Sequence, residues 1–125
     1  MSTEHITMSM IRGDTKTFYL VFDGEGLSED LTEVWCTCRK DYTSENAVFE
    51  KTLTGGGVTK ESTNRYLIRI APEDTLTTLP GVYKYDVQYQ YGEDVYTPII
   101  GDLVINYGVT EAIVVSGDSG SGSGS

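Results

Sequence analysis

Pro72-Glu73-Asp74-Thr75-Leu76-Thr77-Thr78-Leu79-Pro80-Gly81-Val82-Tyr83-Lys84-Tyr85-Asp86-Val87-Gln88-Tyr89-Gln90-Tyr91 holds a helical turn, a bend and a long strand in succession. A proline at a first helical position followed by acids predicts one short turn of helix, since proline fixes φ and the acids complement the amide end. Pro80-Gly81 forces a bend. From Val82 the sequence then alternates with a period of two. Tyr83, Tyr85, Val87, Tyr89 and Tyr91 fall on one face, and Lys84, Asp86, Gln88 and Gln90 on the other.

The same period extends outward in both directions. Ile6, Met8 and Met10 alternate with His5, Thr7 and Ser9, which predicts a first strand ending at the Gly13-Asp14 turn. Phe18, Leu20 and Phe22 share one face of a second strand over 16–22. The third covers 33–40, with Val34, Cys36 and Cys38 inward. The fourth covers 47–53 and is followed by the loop of Gly55, Gly56 and Gly57, read as a hairpin. A fifth over 64–70 turns Tyr66, Ile68 and Ile70 inward. After Gly92-Glu93-Asp94 comes a seventh strand, about 95–107. Pro98 and Gly101 place it at an edge or on a bulge. Residues 110–115 can add a last short strand.

About seven short strands, one short helical turn and no long helical period define an all-β chain. The expected fold is an immunoglobulin-like two-sheet antiparallel β-sandwich, with a closed barrel as the main alternative. In that fold the bend at Pro80-Gly81 and the tyrosine row correspond to a tyrosine corner. The domain is assigned to 1–115. Residues 116–125, SGSGSGS-like in composition, form a flexible Gly/Ser tail, either a natural end or an expression scar.

Composition narrows the function. The chain has 125 residues, enough for one domain with a real core. Its net charge is −10, and a field of that sign repels phosphate, so nucleic acid is not an expected partner. No apolar run approaches the roughly 18 residues of a membrane span, and the N-terminus lacks the basic start and apolar stretch of a signal peptide. Cys36 and Cys38 point to the same face of a strand about 6.6 Å apart, a poor geometry for a disulfide. They read as free core thiols, which fits synthesis in a reducing cytoplasm. A zinc site lacks ligands, because His5 is the only histidine. No metal or cofactor is expected.

The motifs that carry chemistry elsewhere lack their context here. Gly117-Asp118-Ser119-Gly120 is similar to the nucleophile turn of trypsin-like proteases, but it lies in the Gly/Ser tail with no base beside it. Arg12-Gly13-Asp14 matches the tripeptide read by adhesion receptors, yet the glycine and aspartate also suit a simple turn with backbone capping. The triple glycine has no Lys-Ser pair or helix after it, as a phosphate loop requires. The loop acids do not match EF-hand spacing. An enzyme is therefore not expected.

Recognition residues are sought on the outside. With Val34, Cys36 and Cys38 inward, Trp35 points outward, either as a contact residue or under cover of a loop or the N-terminal strand. Trp35, Arg39, Asp94 and Tyr96 are the candidate interface residues. The tyrosine row is read as core, with an exposed sugar-binding row as the alternative.

Several pieces in order resemble a known family. Ile11-Arg12-Gly13-Asp14-Thr15 leads into an apolar strand, Asp30-Leu31-Thr32 precedes the next, and Pro72-Glu73-Asp74-Thr75 is followed by Leu79 to Gln88. Over about residues 6–107 this order is similar to the immunoglobulin-like domains of tailed-phage structural proteins, including the N-terminal domain of the baseplate upper protein family. The resemblance implies a non-enzymatic virion component, made in the host bacterial cytoplasm. It would dock onto other phage structural proteins in a baseplate, tail or head, as a homo-oligomer or in many copies. No catalytic residues carry over from it. A carbohydrate-binding or adhesive surface module is the alternative, with a glycan as partner.

Overall fold

The computed structural model describes residues 3–22 and 27–108. In chain order their elements are β1 (Glu4–His5), β2 (Met8–Ile11), β3 (Lys16–Val21), β4 (Glu33–Arg39), β5 (Ala47–Thr52), β6 (Val58–Ser62), β7 (Arg65–Ile70), α1 (Pro72–Thr75), β8 (Gly81–Tyr91) and β9 (Asp94–Asn106). One sheet runs β1-β9-β8-β4-β5, with β2 also on β9, and the other runs β3-β7-β6. This two-sheet order, with the helical turn before a central tyrosine-rich strand, is that of an immunoglobulin-like β-sandwich. No described helix is long and apolar enough to cross a membrane. The expected strand over 110–115, the Gly/Ser tail and the Gly117 to Gly120 string lie outside the described residues.

The alternation read from the sequence sets the two inner faces. Val34, Cys36 and Cys38 of β4 are fully buried, as are Tyr66, Ile68 and Ile70 of β7. From β8, Tyr83, Tyr85, Val87 and Tyr89 are buried between the sheets, so the tyrosine row is core. A fully buried side chain of this size contributes about 1.5–3 kcal/mol by leaving water. Buried hydroxyls still need partners, and those of Tyr83, Tyr85 and Tyr66 have them. Tyr83 donates to the Leu79 carbonyl four residues upstream, which closes the tyrosine corner. Tyr85 donates to the Ile6 carbonyl at 2.7 Å. The Leu31 amide donates to the Tyr66 hydroxyl at 2.9 Å.

The turn α1 forms where the sequence places it and joins the two sheets. The Asp74 carboxylate accepts from the Ala71 amide and pairs with Lys51 of β5, both at 2.6 Å. Buried Thr75 accepts from the Gly13 amide at 2.8 Å. Gly13, at φ 83°, takes the chain from β2 to β3, and the Asp14 amide closes that turn on the Ile11 carbonyl. Arg12-Gly13-Asp14 is thus the crossover between sheets, and the backbone cap there comes from Thr75.

Four local expectations are corrected or narrowed. The first strand splits into β1 and β2, and both pair parallel, not antiparallel, with β9 in one register, Glu4 opposite Ile99 and Met8 opposite Leu103. The split falls at Ile6, whose carbonyl serves the Tyr85 hydroxyl. Second, of the edge and the bulge expected for β9, the bulge is found. The strand lies between β8 and the N-terminal strands, and its pairing with β8 shifts register opposite Gln88, near Pro98. Third, the triple glycine does not close a hairpin, because β5 and β6 belong to different sheets. The loop crosses between them, held by the Glu33 carboxylate, which accepts from the Leu53 amide at 2.8 Å and the Thr54 amide at 3.2 Å. Fourth, β6 is a strand that no alternation in the sequence announces. Only Val58 in Val58-Thr59-Lys60-Glu61-Ser62 is apolar and buried, so an edge strand here carries no alternation to read.

Candidate docking surface

The pleat that buries Val34, Cys36 and Cys38 turns Glu33, Trp35, Thr37 and Arg39 to the outer face of the six-stranded sheet. On β8 the same rule turns Lys84, Asp86, Gln88 and Gln90 outward. The registers then align cross-strand rows. Trp35 lies opposite Thr52 of β5 and Gln88 of β8. Thr37 lies opposite Glu50 of β5 and Asp86 of β8. Trp35 is half-buried among these neighbours. The N-terminal strands do not cover it, because they lie beyond β9 on the far side of β8.

Beside Trp35 the face dips into a depression of about 240 Å³ whose lining includes Thr37, Arg39, Asp41, Tyr42, Glu50, Lys84, Asp86 and Gln88. Its cations are committed. Arg39 donates to the carbonyls of Ser44 at 3.2 Å and Glu45 at 2.9 Å, which latches the β4–β5 loop. Lys84 pairs with Asp102 at 2.7 Å. The Asp102 carboxyl is held below its ordinary range by that Lys84 hydrogen bond. Hydrogen bonds from Thr43 and Ser44 hold Asp41 low in the same way. For Glu33, burial pushes upward, but donors from Thr54, Val34 and Leu53 together bring the carboxyl below its usual value. Asp86 goes the other way: burial raises it, Arg39 offsets part of that, and Glu50 adds to it.

The four candidate interface residues therefore separate into two places. Trp35 and Arg39 share the outer face, with Arg39 spent on loop carbonyls. Asp94 and Tyr96 lie at the tip of the β8–β9 hairpin, and Tyr96 stacks toward Tyr89 with ring centroids 5.3 Å apart. Tyr89 is an inner-face residue, so Tyr96 is registered with the core side and not with Trp35. Sequence reasoning missed Asp86, Glu50 and Tyr42. The polar face of the Val82 to Tyr91 strand announced Asp86, but its row with Thr37 and Glu50 follows only from pairing registers.

His5 stands on the same face, but Ile100 of β9 lies between it and Asp86. Two strand spacings, about 9.6 Å, separate their backbones, and among the described residues no hydrogen bond joins the two side chains. The thiols are fully buried. Burial pushes Cys38 up to about 12 and Cys36 upward as well, the latter with a smaller push from Cys38. A thiolate is the reactive form. Both cysteines are therefore expected to resist Ellman's reagent at pH 8 in the native chain and to react fully in denaturing urea. Fast labelling without denaturant would contradict their burial.

Fold and face together define an immunoglobulin-like β-sandwich with a polar, aromatic-flanked outer sheet. No family model and no curated protein matches the chain. Among solved structures it is similar to the extracellular domain of the voltage-gated sodium channel beta4 subunit, described as a parallel homodimer with a role in cell–cell adhesion. Identity is 11%, covering 87% of this chain and 97% of that one, with a TM-score of 0.45. It is also similar to a putative glycoside hydrolase from Bacteroides vulgatus, at 15% identity over 75% of this chain and 16% of that chain, with a TM-score of 0.39.

Proposed function

We propose that this chain is a non-enzymatic docking module, a structural component of a tailed-phage particle. On this reading it meets a neighbouring virion protein with the outer face of its six-stranded sheet. The observation that carries the docking part is the placement of Trp35. It is an indole in the middle of an open sheet face, half-buried by Thr52 and Gln88 and beside a polar depression. Aromatic side chains so placed are frequent centres of binding energy. The particle context is supported by the order of motifs from Ile11 to Gln88. Buried free thiols agree with assembly in a reducing cytoplasm.

The wild-type chain is expected to co-sediment with assembled particles from the lysate in which it is made. Trp35→Ala is expected to keep the fold and lose that association, since truncating such an anchor costs about 2–4 kcal/mol of binding. A wild-type chain absent from purified particles overturns the assignment. A carbohydrate-binding reading is favoured by one observation, the Tyr42 ring, 63% exposed at the depression. It rests on Trp35 and Tyr42, because the tyrosine row of β8 is core. Glycan-array binding that Tyr42→Ala abolishes would support it.

A further inference from the structure

The depression beside Trp35 holds one carboxylate that Arg39 offsets only in part and that no hydrogen bond or ion pair engages among the described residues. Arg39 is bonded to two loop carbonyls and Lys84 to Asp102. Asp41 accepts from Thr43 and Ser44, and Glu50 accepts from Thr37. Among the described residues no hydrogen bond or ion pair reaches the Asp86 carboxylate, although it sits at the centre of the face and is half-buried. Partial desolvation without a donor disfavours the charged form, which leaves the Asp86 carboxylate open to a donor from outside the fold.

We propose that the depression receives an arginine side chain of the docking partner, with Asp86 as its counter-ion and the exposed Tyr42 ring beside it. This deepens the docking function above and rests on it for the partner's existence. Charge complementarity selects the occupant. The chain carries a net charge of −10, and the cations lining the depression are already engaged, so a second copy brings the same repelling field and no free base from this site. A basic partner supplies what is missing. Arginine fits better than lysine, because a planar guanidinium pairs with a carboxylate by two parallel bonds and stacks on an aromatic face.

The linkage has a definite sign. A carboxyl raised in the folded state binds more protons native than unfolded between its two pKa values, so stability falls as pH rises through that window. Ionised Asp86 therefore weakens the free fold at neutral pH, and a bound guanidinium relieves it.

The test is an amide NMR titration of the full chain with N-acetylarginine methylamide, and with the neutral citrulline analogue as control. Shifts are expected at Thr37, Asp86 and Gln88, with a dissociation constant on the order of millimolar and at least a tenfold loss in Asp86→Asn. Citrulline should leave these amides unmoved. Asp86→Asn should be as stable as wild type or more so. Absent or scattered shifts, an equal response to citrulline, or unchanged binding by Asp86→Asn each overturn the proposal. So does a destabilised Asp86→Asn, which would make Asp86 a structural group. The probe needs no particle, so the two readings fail separately. A chain that binds arginine but stays off particles keeps this site and loses the particle context, and the converse result removes the site only.

Discussion

Gly101→Val is expected to release the N-terminal strands from the sheet and to lower stability by about 3–5 kcal/mol, an overpacking cost joined to a lost buried hydrogen bond. The cause is a close approach. Gly101 lies on β9 directly opposite Tyr85, and a Cβ placed there would overlap the Ile6 carbonyl. That oxygen belongs to the backbone of the N-terminal segment and cannot rotate away cheaply. The missing side chain is what lets the Tyr85 ring lie across β9 and donate its hydroxyl to Ile6. A valine separates these partners and leaves a buried hydroxyl without its acceptor. Of a typical 5–15 kcal/mol total, the loss is large. Urea denaturation should show it, and hydrogen exchange should rise first at Ile6, Met8 and Met10. Gly101→Ala should show the same sign at smaller size. Stability of Gly101→Val within about 1 kcal/mol of wild type would mean that the strands do not approach as described.

The same glycine shows where the sequence was legible and where it was not. Local alternation is a one-strand property, so the inward sets Val34-Cys36-Cys38, Tyr66-Ile68-Ile70 and Tyr83-Tyr85-Val87-Tyr89 could be read directly. The helical turn and the bend before β8 were equally local. Gly101 looked like an interruption because its meaning depends on Ile6, 95 residues away in the chain. Strand direction has the same non-local origin: nothing in Glu4 to Ile11 announces parallel pairing with β9. The Val58 to Ser62 strand was invisible for the opposite reason, since four of its five residues are exposed at an edge.

The candidate site divides along the same line. Trp35 and Arg39 follow from the parity of one strand, and both are on the outer face. Tyr96 looked equivalent, but the register shift opposite Gln88 places it with Tyr89 on the other side. The depression needs three strands in register, β5, β4 and β8, before Glu50, Thr37 and Asp86 form a row. A loop must also fold back to bring Tyr42 beside them. No periodicity in a single segment encodes either fact.

Tyr66→Ala is expected to cost about 3–5 kcal/mol, as removal of a large buried aromatic does. Tyr66 is fully buried on β7, opposite Leu20 of β3. Its hydroxyl accepts from the amide of Leu31, itself buried between exposed Asp30 and Thr32 on the approach to β4. Two contributions are therefore mixed, and Tyr66→Phe separates them. Phenylalanine keeps the ring volume but leaves the Leu31 amide without an acceptor, which costs about 1–3 kcal/mol. The remainder in Tyr66→Ala is the cavity and the lost apolar burial. Denaturant midpoints of the three proteins give both parts, provided the slopes agree. Equal stability of Tyr66→Phe and wild type would show that water or another acceptor replaces the hydroxyl. The variant also tests how the core supports the outer face. In Tyr66→Phe, exchange at Leu31 and Thr32 should accelerate, while the Glu50-Thr37-Asp86 row, held by the β5–β4–β8 ladder, should bind the arginine probe as before. Stability and recognition would then be separable, because the Leu31 tether fixes the entry to β4 whereas its cross-strand pairs fix the docking surface.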